Sequence, residues 1–130
     1  MMIKPEAVQA GQVGRILAMA ETNGFKLLKI KSFTMERALA EKFYAVHRER
    51  PFFADLVQYI CSGPVVGVHC QREEAVSRMR ELVGATNPEE AACGTIRFLF
   101  GTDLSHNAVH ASDSPPNAKL ELGLIFGGSL

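Results

Sequence analysis

Asn23-Gly24-Phe25-Lys-Leu-Leu-Lys-Ile-Lys-Ser-Phe33 is the stretch on which the fold class turns. Before it, Val13, Ile16, Leu17 and Ala20 follow the i, i+3, i+4, i+7 spacing of an amphipathic helix, which the Asn23-Gly24 pair stops. After it, Leu28 and Ile30 alternate with Lys29 and Lys31, the period of a strand, so Phe25 to Phe33 is expected to be extended. A helix handing over directly to a strand is the mark of an α/β chain.

The pattern continues in both directions. Upstream, Met1 to Lys4 is a short apolar segment that Pro5 ends, and it suits the tail of a first strand. Downstream, a helical block is expected from about Met35 to Val46. Pro51 opens another, with Phe53, Leu56, Val57 and Ile60 on one stripe and Ser62-Gly63-Pro64 closing it. Val65 to Cys70 is apolar and β-branched, as in a buried strand, and Val76, Met79 and Val83 predict a helix after it. Between Gly84 and Asn107, Asn87-Pro88, Gly94 and Gly101 predict mostly loop, and long loops usually serve a function. Ala108 to Ala111 suits a last short strand and Pro115 to Ile125 a last helix. This order is that of an α+β, ferredoxin-like split βαβ sandwich. It implies a four-stranded antiparallel sheet covered by helices, with a long loop before His110. Such a fold alone says little about activity.

At 130 residues the chain suits one domain spanning 1–130. Its 47% apolar and 22% charged content is ordinary for a globular protein. Lys plus Arg balance Asp plus Glu at 14 each, so no global field attracts nucleic acid or an anionic membrane, and neither is expected as a main partner. Any anion must be held by a local cluster. Cys61, Cys70 and Cys93 are odd in number and lack metal-type spacing, which fits a reducing cytoplasm and packing roles rather than a disulfide framework. MMIKPEAVQAG contains no apolar signal core, and no apolar run approaches the roughly 18 residues of a membrane span.

The most informative chemical segment is Asn107-Ala-Val-His110-Ala-Ser112-Asp113-Ser114, a histidine between a short apolar run and small turn-forming residues. Imidazole is mostly unprotonated near neutral pH and is then a good nucleophile. A lone histidine is more often a packing or surface residue, so the segment by itself leaves both readings open. His106 and His110 are four apart, but no HExxH or Cys/His set surrounds them, and no Walker A pattern occurs.

MIKPEAV, YAVHRERPFFADLV, SGPVVGV, GATNPEEA, GTIR and NAVHASDS, in that order from Met2 to about Phe126, resemble the motifs of the nucleoside diphosphate kinases. The resemblance implies a ferredoxin-like fold and a phosphotransferase that moves the γ-phosphate of a nucleoside triphosphate, usually ATP, to a nucleoside diphosphate. It implies a ping-pong course in which Nδ1 of His110 becomes phosphorylated. Phosphoryl transfer needs alignment and positive groups around the equatorial oxygens. Lys4, Arg80 and Arg97 fall where the family places its phosphate-binding cations. Thr86 and Asn107 match a phosphate-contacting threonine and a sugar-contacting asparagine, and Phe52 the aromatic that stacks on the base. Stacking accepts any base, so a broad substrate range is implied. Lys4, Tyr44, Ser112 and Glu121 complete the catalytic set around His110, with Tyr44 near the lysine and phosphates and Glu121, beside Ser112, orienting the ring. Mg²⁺ is implied as a cofactor carried by nucleotide phosphates and water, with no protein metal cage. Self-association is implied as well, with a hexamer favoured over a tetramer.

PEAV stands where PDAV is common in the family, and HASDS where HGSDS is. Few residues precede Lys4 to complete the first strand, and Phe98-Leu99-Phe100 is more apolar than expected after GTIR. The segment from Gly123 to Leu130 stops earlier than the usual tail, which in the family helps subunit contacts. Two other readings compete. One is a family member used mainly as a binding module, which a lost motif residue would betray. The other is a phosphohistidine phosphatase or relay domain, which would need no Phe52 platform.

Overall fold

The structure is a computed structural model that describes residues 1–127. The end of the expected subunit tail, residues 128–130, lies outside the described residues. Four strands form one sheet: β1 (Met2–Ile3), β2 (Lys26–Phe33), β3 (Val65–Gln71) and β4 (Val109–His110). They lie in the order β2-β3-β1-β4, and each neighbouring pair is antiparallel. Among the described residues seven α-helices accompany them: α1 (Pro5–Gln9), α2 (Val13–Thr22), α3 (Arg37–Phe43), α4 (Phe53–Ile60), α5 (Ala75–Val83), α6 (Ile96–Phe100) and α7 (Pro115–Phe126).

Alternation along the central strands sends side chains to two cores. Ile3, Val66, Val68 and Val109 join Ile16, Ala20, Met79, Val83 and Ile96 on one face. Met2 and Val65 join Phe43, Val57, Ile60 and Ile125 on the other. Because both faces are covered, β3 is buried from Val65 to Val68, which is why it shows as an unbroken apolar run. The helical stripes reach these cores as their spacing predicts, with Ile16 and Ala20 of α2 and Val57 and Ile60 of α4 buried.

Some expectations need correction. Leu28 and Ile30 are 47% and 52% exposed and Lys29 and Lys31 are exposed too, so β2 has no buried alternating face through this stretch. It is an edge strand, and a register shift between Leu27 and Lys29 breaks the alternation. Pro5 not only ends β1 but sits at the start of α1, where its missing N–H costs nothing. The block expected from Met35 to Val46 is α3 followed by a separate 3₁₀ turn, Ala45–His47. The expected loop from Gly84 to Asn107 contains a 3₁₀ turn, Pro88–Glu90, and α6, whose first turn is capped by the Thr95 hydroxyl accepting the Phe98 N–H. A helix of five residues is too short to show a periodic stripe.

Gly84 ends α5 with φ +89° and ψ −179°, a backbone region that is essentially closed to residues with a Cβ. A Cβ there would lie 2.6 Å from Thr95 Oγ1. This close approach brings the Gly84 carbonyl within 3.1 Å of the Arg97 guanidinium.

Candidate active site

His110 closes β4 at the sheet edge opposite β2, its backbone paired with Met2. Nε2 lies 2.7 Å from Glu121 Oε1 of α7, and the Ser112 hydroxyl donates to the same oxygen at 2.7 Å. The α7 N-terminus is set by Ser114, whose hydroxyl accepts the Asn117 N–H, and by Pro115 and Pro116. Burial lowers the His110 pKa, and Glu121 opposes the shift without reversing it. Burial would raise the Glu121 pKa, but the bonds and charge of His110 and the Ser112 hydroxyl bring it below its ordinary value. A neutral imidazole beside an ionised carboxylate must carry its proton on Nε2, because the carboxylate can only accept. Nδ1 therefore keeps its lone pair.

Three cations gather on this segment. Lys4, at the end of β1, is buried and donates from Nζ to Asn107 Oδ1 at 2.7 Å. Ahead of it, the Met1 amino group donates to the Val68 carbonyl at 3.2 Å. Burial, then the charge of Arg97, pushes Lys4 down to about 8. Arg97 of α6 is buried and donates to the carbonyls of Gly84 and Val109, at 3.1 and 2.9 Å. Burial, then Arg80, lowers it to about 10. Arg80 of α5 is exposed and donates to the Ala111 carbonyl at 3.3 Å. Lys4 and Arg97 are thus buried cations, each disfavoured by a neighbouring positive charge, an arrangement that an added anion would relieve.

Tyr44 is buried edge-on to the His110 ring, with centroids 5.8 Å apart. Burial, then the charge of Glu121, raises its pKa, so its hydroxyl remains a donor. That hydroxyl and Arg97 Nε are buried without a hydrogen-bond partner among the described residues. An unpaired buried donor costs about 1–3 kcal/mol, a cost that a ligand oxygen would relieve. Phe52 immediately precedes α4 and is half exposed, off the buried stripe as its position in the sequence suggests. Its ring is 5.4 Å from His47, which is stacked 6.4 Å from Tyr44, so a row of rings joins Phe52 to His110.

Asn107 is buried and donates to the carbonyls of Thr86 and Leu104, at 3.1 and 3.2 Å. Thr86 is thus tied to the site through its backbone, and its side chain is exposed. Cys93 is exposed and does not serve the packing role expected of it, while Cys61 and Cys70 are partly buried. Sequence reasoning missed His47, Glu6 and Tyr59. His47 was visible only as the third residue after Tyr44 in YAVH and Glu6 only as the acidic residue of PEAV, while Tyr59 carries no local signal. Among the described residues no group of three or more His, Cys, Asp or Glu could hold a metal ion, and no helix is long and apolar enough to cross a membrane.

Fold and site together define a class, the phosphotransferases that work on nucleotides. Comparison with solved structures gives a TM-score of 0.95 to the Aquifex aeolicus nucleoside diphosphate kinase, at 45% identity over 98% of this chain and 92% of that one. The Halobacterium salinarum nucleoside diphosphate kinase, solved in complex with CDP, gives 0.93 at 40% identity over 98% and 85%. The nucleoside diphosphate kinase of Persephonella marina is 46% identical over 126 residues, 97% of this chain and 90% of its own length. The sequence profile of the family, nucleoside diphosphate kinase, matches residues 1–129. The chain belongs to the nucleoside diphosphate kinase family.

Proposed function

We propose that the chain, as one domain over 1–130, moves the γ-phosphate of a nucleoside triphosphate, usually ATP, to a nucleoside diphosphate through a phosphohistidine at His110. The observation that carries this reading is the Nε2–Glu121 bond, which leaves Nδ1 as the unpaired nitrogen. In the first half-reaction the Nδ1 lone pair forms the N–P bond as the bond from Pγ to the bridging oxygen breaks, and the diphosphate leaves with that electron pair. A second diphosphate then reverses the exchange. Lys4, Arg80 and Arg97 balance the charge of the phosphate oxygens, and the free Tyr44 hydroxyl supplies a donor. Ser112 and Glu121 hold the ring. Phe52 stacks on the base, while Asn107 contacts the sugar and Thr86 a phosphate.

A cradle of cations with its carboxylate already engaged suits Mg²⁺ that is carried by nucleotide oxygens and water rather than by side chains. When bound, the ion neutralises phosphate charge. The charge balance of the chain supports nucleotides rather than nucleic acid as the main partner, and its cysteine usage supports a cytoplasmic location. A closed homo-oligomer, a hexamer in preference to a tetramer, accords with the apolar Leu28 and Ile30 exposed on the sheet edge. Sedimentation of the purified protein tests that part.

For the chemistry, protein mixed with Mg²⁺ and γ-³²P-ATP should take up acid-labile, base-stable label, and His110→Gln should take up none. An unlabelled wild type, or a variant labelled equally well, would rule the mechanism out.

A further inference from the structure

Ala108, two residues before His110, has φ +74° although it is not glycine. Its neighbours close a γ-turn around it, with the Val109 N–H donating to the Asn107 carbonyl at 2.9 Å. With positive φ at its centre this turn is rare and strained, and such strain persists only where the surroundings over-determine it. Ala108 is completely buried. Both of its remaining polar groups are met by the segment that follows β1: the Lys4 N–H donates to its carbonyl at 2.9 Å, and its own N–H donates to Glu6 Oε2 at 3.3 Å. The other oxygen of Glu6 accepts the Tyr59 hydroxyl. Burial and that hydrogen bond both raise the Tyr59 pKa, so the phenol stays a donor. The Tyr59 ring in turn rests edge-on against His106, centroids 4.8 Å apart, on the same loop.

We infer that Glu6 is a positioning residue for His110, holding the γ-turn at Ala108 and with it the direction in which Nδ1 faces the phosphate. The inference rests on His110 being the nucleophile. The leverage comes from brevity. β4 is two residues long, so His110 has little strand of its own to fix it, and the turn is its immediate anchor. Asn107, on the other side of the turn, is the acceptor for Lys4, so the same turn sets where that cation points. Without the carboxylate the Ala108 N–H is buried with no acceptor. The cheapest remedy is to rotate the peptide out of positive φ, which turns the imidazole and moves the lysine. Displacements of about 1 Å at a reacting group cost on the order of a hundredfold in rate.

The test measures, by rapid quench with Mg²⁺ and γ-³²P-ATP, the rate of His110 labelling and its dependence on ATP concentration. In Glu6→Ala the limiting rate should fall at least about tenfold and by more than the half-saturating ATP rises, because the imidazole and Lys4 shift while Phe52 and Arg80, which the turn does not hold, still bind nucleotide. Glu6→Gln should stay within about threefold of wild type, since the amide oxygen can accept the Ala108 N–H while its NH₂ donates to Tyr59. Adding Ala108→Gly to Glu6→Ala should recover most of the loss, because glycine holds positive φ without a clamp. If Glu6→Ala does not fold, Tyr59→Phe decides, with an expected drop of a few fold. Full-speed labelling of Glu6→Ala or of the substitute Tyr59→Phe, or Glu6→Gln as slow as Glu6→Ala, would overturn the assignment. So would a loss confined to ATP affinity. A wild type that takes no label at all would instead strike the nucleophile itself, so the two ideas fail separately.

Discussion

Replacing Glu121 by Gln isolates the orientation of the His110 ring from every other feature of the site. The carboxylate receives two hydrogen bonds on one oxygen, from His110 Nε2 and from Ser112, each at 2.7 Å. Glu121 keeps only 16% of its side chain exposed, so the imidazole bond is poorly screened. A hydrogen bond to a charged partner contributes about 1.5–3 kcal/mol. Glutamine is nearly isosteric but has one acceptor and one NH₂ group. Both bonds go to one oxygen, so an amide with NH₂ in the place of Oε1 faces the imidazole with a donor, moves the proton to Nδ1 and blocks the lone pair. An amide with its oxygen there keeps both bonds without the charge. The same interval applied to the barrier slows phosphorylation by about 10- to 150-fold. Burial already lowers the His110 pKa, and removing the carboxylate lowers it further, so the variant ring is neutral and the loss should not be recovered at higher pH. Rapid-quench labelling from pH 6 to 9 reads this directly. A variant labelled within about threefold of wild type, or one restored by alkali, would mean that the charged Glu121 contact does not govern the reactivity of the ring.

Three other outcomes are expected. Lys4 is held down to about 8 by burial and Arg97, so it is protonated below that pH; kcat/KM for ATP should fall as pH rises through about 8, a limb that Lys4→Gln should lack. Folding stability should move the other way: the folded pKa lies below the ordinary 10.5, the unfolded chain binds more protons between the two values, and the urea midpoint should rise across that window. Phe52→Ala should weaken nucleotide binding by about 1–3 kcal/mol to a similar degree for purine and pyrimidine, seen as a raised KM in coupled assays. Gly84→Ala should lower stability by at least about 1–3 kcal/mol through its backbone region alone, with further cost from the clash with Thr95, measured as a shift in urea midpoint at constant slope.

Much of the fold and site could be read before any coordinates. The 3.6 period of Val13, Ile16, Leu17 and Ala20, the unbroken run at Val65 to Val68, and the turn residues between them are local codes, and local codes survive without tertiary context. Resemblance added the site residues as separate points along the chain. Their arrangement needed contacts between distant segments: Lys4 meets Asn107 across 103 positions and Glu6 meets Tyr59 across 53. No periodicity encodes such a pairing. Leu28 and Ile30 show the same limit from the other side, since alternation identifies a strand but cannot tell whether a helix covers its face. The short α6 and the 3₁₀ turns were hidden because a turn or two gives too few residues for a pattern. The amino-acid order alone thus determined the strands and the longer helices and pointed to the candidate site residues. Packing alone decided that Arg97 and Lys4 are buried together, which nitrogen of His110 is free, and what holds Ala108 in its strained turn. Those properties arise from desolvation and hydrogen bonds between residues that only folding makes neighbours.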